Sequence, residues 1–158
     1  MKRLFVSAAI VAIAAASLLA SAVPASAGSG NSGNALACQH DGWQTVTRSD
    51  LAPFTSQGEC VSYGARGGAI LVSITLSPSS VTTTTASADT QATVTATFAN
   101  GTTADVTTSI SWSLNTNPAV ATIDGLTGAI HPLSVGSTSI QATYGPFTSN
   151  TMRFTVTS

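Results

Sequence analysis

Apolar and hydroxyl-bearing residues alternate through most of this chain's second half. Val72, Ile74 and Leu76 stand opposite Ser73 and Thr75, and Ala92, Val94, Ala96 and Phe98 opposite Gln91, Thr93, Thr95 and Thr97. The same holds for Ile110, Trp112 and Leu114, for Ala121 and Ile123, for Ile140, Ala142 and Tyr144, and for Met152, Phe154 and Val156. A period of two with one apolar face describes half-buried strands, and threonine and valine suit a pleated surface. No stretch here carries a helical period.

Turn residues separate the runs: Ser77-Pro78-Ser79, Asn100-Gly101, Asn117-Pro118, residues 125–128, Val135-Gly136 and Gly145-Pro146. Asn100-Gly101 reads as a type I′ hairpin, because both residues tolerate positive φ. About seven short strands at this spacing predict an all-β fold, an antiparallel β-sandwich. Trp112 is its largest inward side chain and is expected to pack against Phe98, Ile123, Ile140 and Phe154.

These motifs stand in an order that carries a resemblance. Val72-Ser-Ile-Thr-Leu-Ser-Pro78 is followed by Gln91-Ala-Thr-Val-Thr-Ala-Thr-Phe-Ala-Asn-Gly-Thr102, Asp105-Val-Thr107, Ile110-Ser-Trp-Ser113, Asn117-Pro-Ala-Val-Ala-Thr-Ile123, Gly128 and Val135-Gly-Ser-Thr-Ser-Ile-Gln-Ala-Thr143. Residues 70–158 thereby resemble the bacterial Ig-like domain, group 2, found in intimin- and invasin-like surface proteins. The family's glycine in the turn before the second strand is absent. Residues 82–90, with Ser87-Ala88-Asp89, are expected to form a longer loop there. The resemblance implies an immunoglobulin-like sandwich with an adhesion or spacer role at a cell surface.

The chain's start reads as an export signal. Met1-Lys2-Arg3 is basic, residues 4–22 are apolar, Pro24 breaks the run, and Ala25-Ser26-Ala27 has the small residues a signal peptidase accepts. Cleavage after residue 27 is the expectation, against a retained membrane anchor. Residues 28–37 open with Gly-Ser-Gly-Asn-Ser-Gly-Asn and read as a flexible linker.

Residues 38–68 form a third part, with a composition boundary at Gly67-Gly68. It holds both cysteines of the chain, Cys38 and Cys60, and five of the nine charged residues that follow residue 27. In an oxidising compartment these two are expected to form a disulfide, against the alternative of two free thiols. Trp43, Phe54 and Tyr63 are either this segment's small core or an exposed apolar platform for a sugar ring. Cys38-Gln-His-Asp-Gly-Trp43, Phe54 and Gln57-Gly-Glu-Cys-Val-Ser62 resemble a short Cys-bracketed segment of secreted bacterial proteins, with Asp41 replacing its usual first glycine.

Catalytic chemistry finds little purchase in these residues. His40 lies beside Asp41 and near Cys38, but a bridged cysteine offers no thiolate and nothing completes a triad. His131 reads as a surface or edge position. Asp89, Asp105 and Asp124 are dispersed, without the tight oxygen-rich loop a calcium site needs. Five Lys/Arg against six Asp/Glu, with Lys2 and Arg3 in the leader, leave no basic stripe for nucleic acid or an anionic membrane. The expectation is therefore a secreted, non-catalytic protein without cofactor or metal. It would serve as an adhesion or structural module, or alternatively bind polysaccharide or peptidoglycan, with an extracellular protein or glycan as partner. Specific contact is expected from Trp43, Phe54 and Tyr63. No sorting signal or anchor is recognised near Ser158, which points to a small secreted protein rather than a stalk.

Overall fold

A computed structural model describes residues 29–158, so the expected signal, residues 1–27, lies outside the described residues. The chain begins with helix α1, Ser29–Ala37, then a single 3-10 turn at Gly42–Gln44 and the short strand β1, Thr47–Arg48. Helix α2, Gln57–Ala65, leads into β2, Ile70–Ser77, and β3, Ser80–Thr84. Then follow β4, Thr90–Gln91, β5, Thr93–Phe98, β6, Thr103–Asp105, and β7, Ser111–Leu114. The last five are β8, Ala121–Ile123, β9, Ala129–Pro132, β10, Gly136–Tyr144, β11, Phe147–Thr148, and β12, Met152–Thr157.

The fold is an all-β sandwich. One sheet has the order β1-β2-β5-β6. The facing sheet has β10 at its centre, β7 on one side, and β11 and β12 successively on the other, with β3 beyond β12. A small sheet, β4-β9-β8, extends the first, since β4 runs into β5 through Ala92. Every pairing is antiparallel except that of β3 with β12, which is parallel. The chain crosses between sheets at Ser77-Pro78, a cis peptide bond, so β2 and β3 belong to opposite layers.

The alternation places its apolar faces as read for β5, β10 and β12. Val94, Ala96, Ile140, Ala142, Met152, Phe154 and Val156 are all buried in one cluster between the sheets. Four local expectations are corrected. Phe154, fully buried, is the largest side chain at the centre of the core, whereas Trp112 is only partly buried. Trp112 lies on β7, which has a neighbour strand on one side only, and its ring packs against the core cluster beside Gly128 of the small sheet's turn. In β2 the ladder shifts register between Leu71 and Ser73. This bulge turns Leu71 into the sandwich core with Ile74 and Leu76, and Val72 toward a second cluster. At Asn100-Gly101 only Gly101 has positive φ, 84°. The Phe98–Thr102 pair therefore encloses a three-residue loop closed by glycine in the left-handed region, not a type I′ turn. Finally, part of the expected 82–90 loop is strand: β3 runs to Thr84, and the turn after it closes as Thr84 N–H donates to Ser87 Oγ.

The expected flexible linker at 28–37 is also corrected, because residues Ser29–Ala37 are helical. The helix is held by contacts distant in sequence. Asn34 is fully buried and its Nδ2 donates to the Gly68 carbonyl at 2.7 Å. Gly64 of α2 lets the two helices approach, since a Cβ there would sit 2.9 Å from Asn34 backbone. Cys38, just past α1, is bridged to Cys60 in α2. Closing that 22-residue separation removes about 3 kcal/mol of unfolded-chain entropy in the loop-closure picture.

Candidate functional site

Cys38, Cys60, Val46, Phe54 and Ile70 form a second buried cluster, with Trp43, Tyr63, Val72 and Ala99 packed against it. The first strand of the sandwich is thus shared. β1 pairs with β2 through Thr47↔Leu71 and Arg48↔Ile70, and Ile70 belongs to the cluster around the disulfide. In exchange Leu51, from the Cys-bracketed segment, packs into the sandwich core and against Gly145 at the β10–β11 hairpin tip. Leu51 holds φ 67° to do so, an uncommon conformation for a bulky side chain.

This exchange shapes a cleft of about 660 Å³ at the junction. One wall is the 3-10 turn, which presents Trp43 and Gln44, with Thr45 just beyond it. Val46 and Thr47 of the β1 region and the Pro53-Phe54 loop form the rest of this side. Pro146, from the tip of the β10–β11 hairpin, completes the lining. No lining residue carries a charge. Phe54 is buried, Trp43 is half-buried, and Gln44, Thr45, Pro53 and Pro146 are exposed.

Behind the cleft, Arg48 fixes the aromatic wall. Its guanidinium lies 5.3 Å from the Phe54 ring centroid and 5.1 Å from that of Tyr63, and it pairs with Glu59. The Phe54 and Tyr63 rings are 5.6 Å apart and tilted by 60°. Glu59 in turn accepts hydrogen bonds from the Thr55 hydroxyl at 2.7 Å and the Thr55 N–H at 2.8 Å. These bonds, more than Arg48, hold its carboxyl below the usual range. Ser56 accepts the Glu59 N–H at the start of α2. The Ser56-Gln-Gly-Glu59 spacing is a helix-start signal that the sequence carried and that alternation alone does not reveal.

Of the three aromatics expected at a contact surface, Trp43 and Phe54 line the cleft. Tyr63 does not: it stands behind Phe54, against Gly68 and Arg48. Gln44, Thr45, Val46, Thr47, Pro53 and Pro146 are the additions that sequence reading missed. Thr47 is 5% exposed and its Oγ1 has no hydrogen-bond partner. Leaving a buried hydroxyl unpaired costs about 1–3 kcal/mol. By contrast, the Thr45 hydroxyl donates to the Gly42 carbonyl at 2.9 Å.

The remaining ionisable candidates lie elsewhere. His131 Nδ1 is 2.7 Å from Asp89 Oδ1 on the exposed side of the small sheet. Asp105 accepts from the Thr107 hydroxyl and N–H, which lower its pKa, and Asp124 from the Leu126 and Thr127 N–H groups, with the same effect. Each aspartate closes a turn. His40, at φ 50°, and Asp41, at φ 65°, are exposed residues in the bend before Gly42. Among the described residues no three His, Cys, Asp or Glu side chains group as metal ligands, and no helix is long and apolar enough to cross a membrane.

No protein-family model matches the chain, and no curated protein is found to match it.

Proposed function

We propose that this chain is an exported, non-catalytic adhesion module, in which an immunoglobulin-like sandwich carries a disulfide-bridged contact segment. The observation that carries the reading is the junction cleft, whose lining residues offer an aromatic face, prolines, hydroxyls and an amide, but no acid, base or nucleophilic thiol. Such a surface binds; proton transfer to a substrate needs a titrating group within hydrogen-bond reach. The Cys38–Cys60 bridge fits an oxidising address, as does the apolar leader, residues 1–27. The resemblance of residues 70–158 to the bacterial Ig-like domain, group 2, supports a surface or extracellular role.

Two measurements test this. Intact mass of the protein recovered from culture medium should show an N-terminus at Gly28 and a two-proton gain on reduction. Recovery only as a chain retaining Met1, with free thiols, would overturn the exported address. The purified exported protein should also bind isolated cell envelopes saturably, and Trp43→Ala should abolish that binding. Equal binding by Trp43→Ala, with its fold verified by circular dichroism, would remove the cleft from adhesion.

A further inference from the structure

We infer that Asn100-Gly101, in the loop between β5 and β6, is a self-modifying site, where the asparagine is converted through a cyclic imide to aspartate and isoaspartate with water as the only co-reactant. This goes beyond the adhesion reading and does not depend on it. The backbone nitrogen of Gly101 attacks Cγ of Asn100. A bond forms between those two atoms, the Cγ–Nδ2 bond breaks, and ammonia leaves with the Gly101 N–H proton. Water then opens the imide at either carbonyl. One opening restores the ordinary backbone as aspartate; the other routes the chain through the side chain as isoaspartate.

Hydrogen bonding sets Asn100 apart from the other five asparagines of the chain. Nδ2 is the leaving group, and in four of them it is tied: Asn31 donates to the Ala65 carbonyl, Asn34 to that of Gly68, Asn115 to Gln141 Oε1 and Asn150 to the Leu76 carbonyl. Asn117 folds its side chain over the next peptide, with Oδ1 accepting the Ala119 N–H at 3.3 Å. Pro118 follows it, however, and has no N–H to lose. Asn100 makes the same turn with a nucleophile in place. Its Oδ1 accepts the Thr102 N–H at 3.0 Å and the Thr102 hydroxyl at 2.6 Å. A backbone N–H only donates, which assigns that atom as oxygen. Among the described residues nothing accepts from Asn100 Nδ2.

The two Thr102 donors act on the reaction itself. Negative charge develops on Oδ1 as the nitrogen attacks, and donors already aimed at that oxygen stabilise it. Gly101 leaves room for ring closure: beyond its chain neighbours, a Cβ there would meet nothing within 4 Å. One bond opposes the attack, because the Gly101 N–H donates to the Phe98 carbonyl at 2.9 Å. The reaction therefore waits on the opening of that bond, and Gly101 and Thr102 are exposed at a loop tip, where local opening costs little. The same loop seats α1. A Cβ on Gly33 would lie 2.5 Å from the Ala99 carbonyl oxygen and 3.6 Å from Asn100 Cα. Isoaspartate adds a methylene to the backbone there, and either product adds a negative charge, so modification loosens the helix.

The test incubates the disulfide-bonded protein at mildly alkaline pH and follows it by peptide-mapping mass spectrometry. Asn100 should exchange the mass of NH2 for that of OH while the other five asparagines stay intact. Thr102→Val removes the hydroxyl from Oδ1 at an exposed position and keeps the N–H, so it should slow the change severalfold with Tm unaltered. In the modified fraction, separated by anion exchange, amides of α1 should exchange faster with deuterium than in the intact fraction. The inference is overturned if Asn100 keeps its amide over the time in which the unfolded chain converts, or if another asparagine reacts first. It is equally overturned if Thr102→Val reacts faster, since the bonds to Oδ1 would then protect the amide. Unchanged exchange in α1 would overturn the link to the helix.

Discussion

The Asn150 side chain serves Leu76 as a strand would: its Oδ1 accepts the Leu76 N–H at 2.8 Å and its Nδ2 donates to the Leu76 carbonyl at 3.1 Å. The two residues are 74 positions apart and belong to facing layers. β1 reaches only Ile70 and Leu71 on that side of β2, so Leu76 would otherwise face no partner there. Asn150 is available because β11 and β12 are separate pieces of one line along β10. In the gap Ala142 N–H donates to Ser149 Oγ, at 3.0 Å, in place of a backbone carbonyl.

Removing that side chain strands both Leu76 groups. Asn150→Ala should destabilise the protein by about 2–4 kcal/mol, and Asn150→Asp, which keeps the acceptor and loses the donor, by about half as much. Urea denaturation at pH 7 measures both. An unchanged m-value would assign the loss to the native contact.

The two large aromatics of the sandwich should differ in weight. Phe154→Ala opens a cavity at the fully buried centre and should cost about 3–5 kcal/mol. Trp112→Ala should cost less than half of that. The ring sits on the marginal strand β7, and its buried Nε1 has no hydrogen-bond partner to lose. The two values come from parallel denaturation curves.

Reduction of Cys38–Cys60 should loosen one part before the other. Amides of α1 and α2 should exchange faster with deuterium once the bridge is reduced, while those of β5 and β10 stay protected. Leu51→Ala should act from the other direction. By removing the contact with Gly145 it should raise exchange in β1. Exchange mass spectrometry on both samples reads this out. Equal acceleration in β5 and the helices would mean the chain opens as one unit.

Acid should erode stability through three carboxylates. Glu59, Asp105 and Asp124 are all held below their ordinary values of 4.5, 3.8 and 3.8 by accepted hydrogen bonds. For a depressed carboxyl the stabilisation is present above the unfolded value and is lost as pH falls through the folded one. Tm should therefore be level above about pH 5 and decline progressively from about pH 4.5 downward. Asp105→Asn keeps an acceptor for Thr107 and should flatten part of that decline, as seen in Tm scans from neutral to acid pH.

Alternation by itself determined which residues of β5, β10 and β12 face inward. Burial of apolar surface is non-directional, and a strand offers only two faces, so Val94 and Ala96, Ile140 and Ala142, and Met152, Phe154 and Val156 had one arrangement open to them. The even cysteine pair, read together with the expectation of export, led to the bridge in the same way. Helix α1 gave no such signal, because Ser, Gly and Asn carry no apolar period; it exists through Asn34 on Gly68, Gly64 beneath it and Cys38 on Cys60. The bulge that sends Leu71 and Val72 to different clusters was equally hidden, since it answers to two bodies packing on one strand. The candidate site lies furthest from the sequence. Trp43 and Thr47 meet Pro146 only because Leu51 docks the bridged segment on a distant hairpin. Local pattern reports what each segment must bury; which surfaces then meet is decided by long-range packing, where shape and the satisfaction of single polar groups settle the outcome.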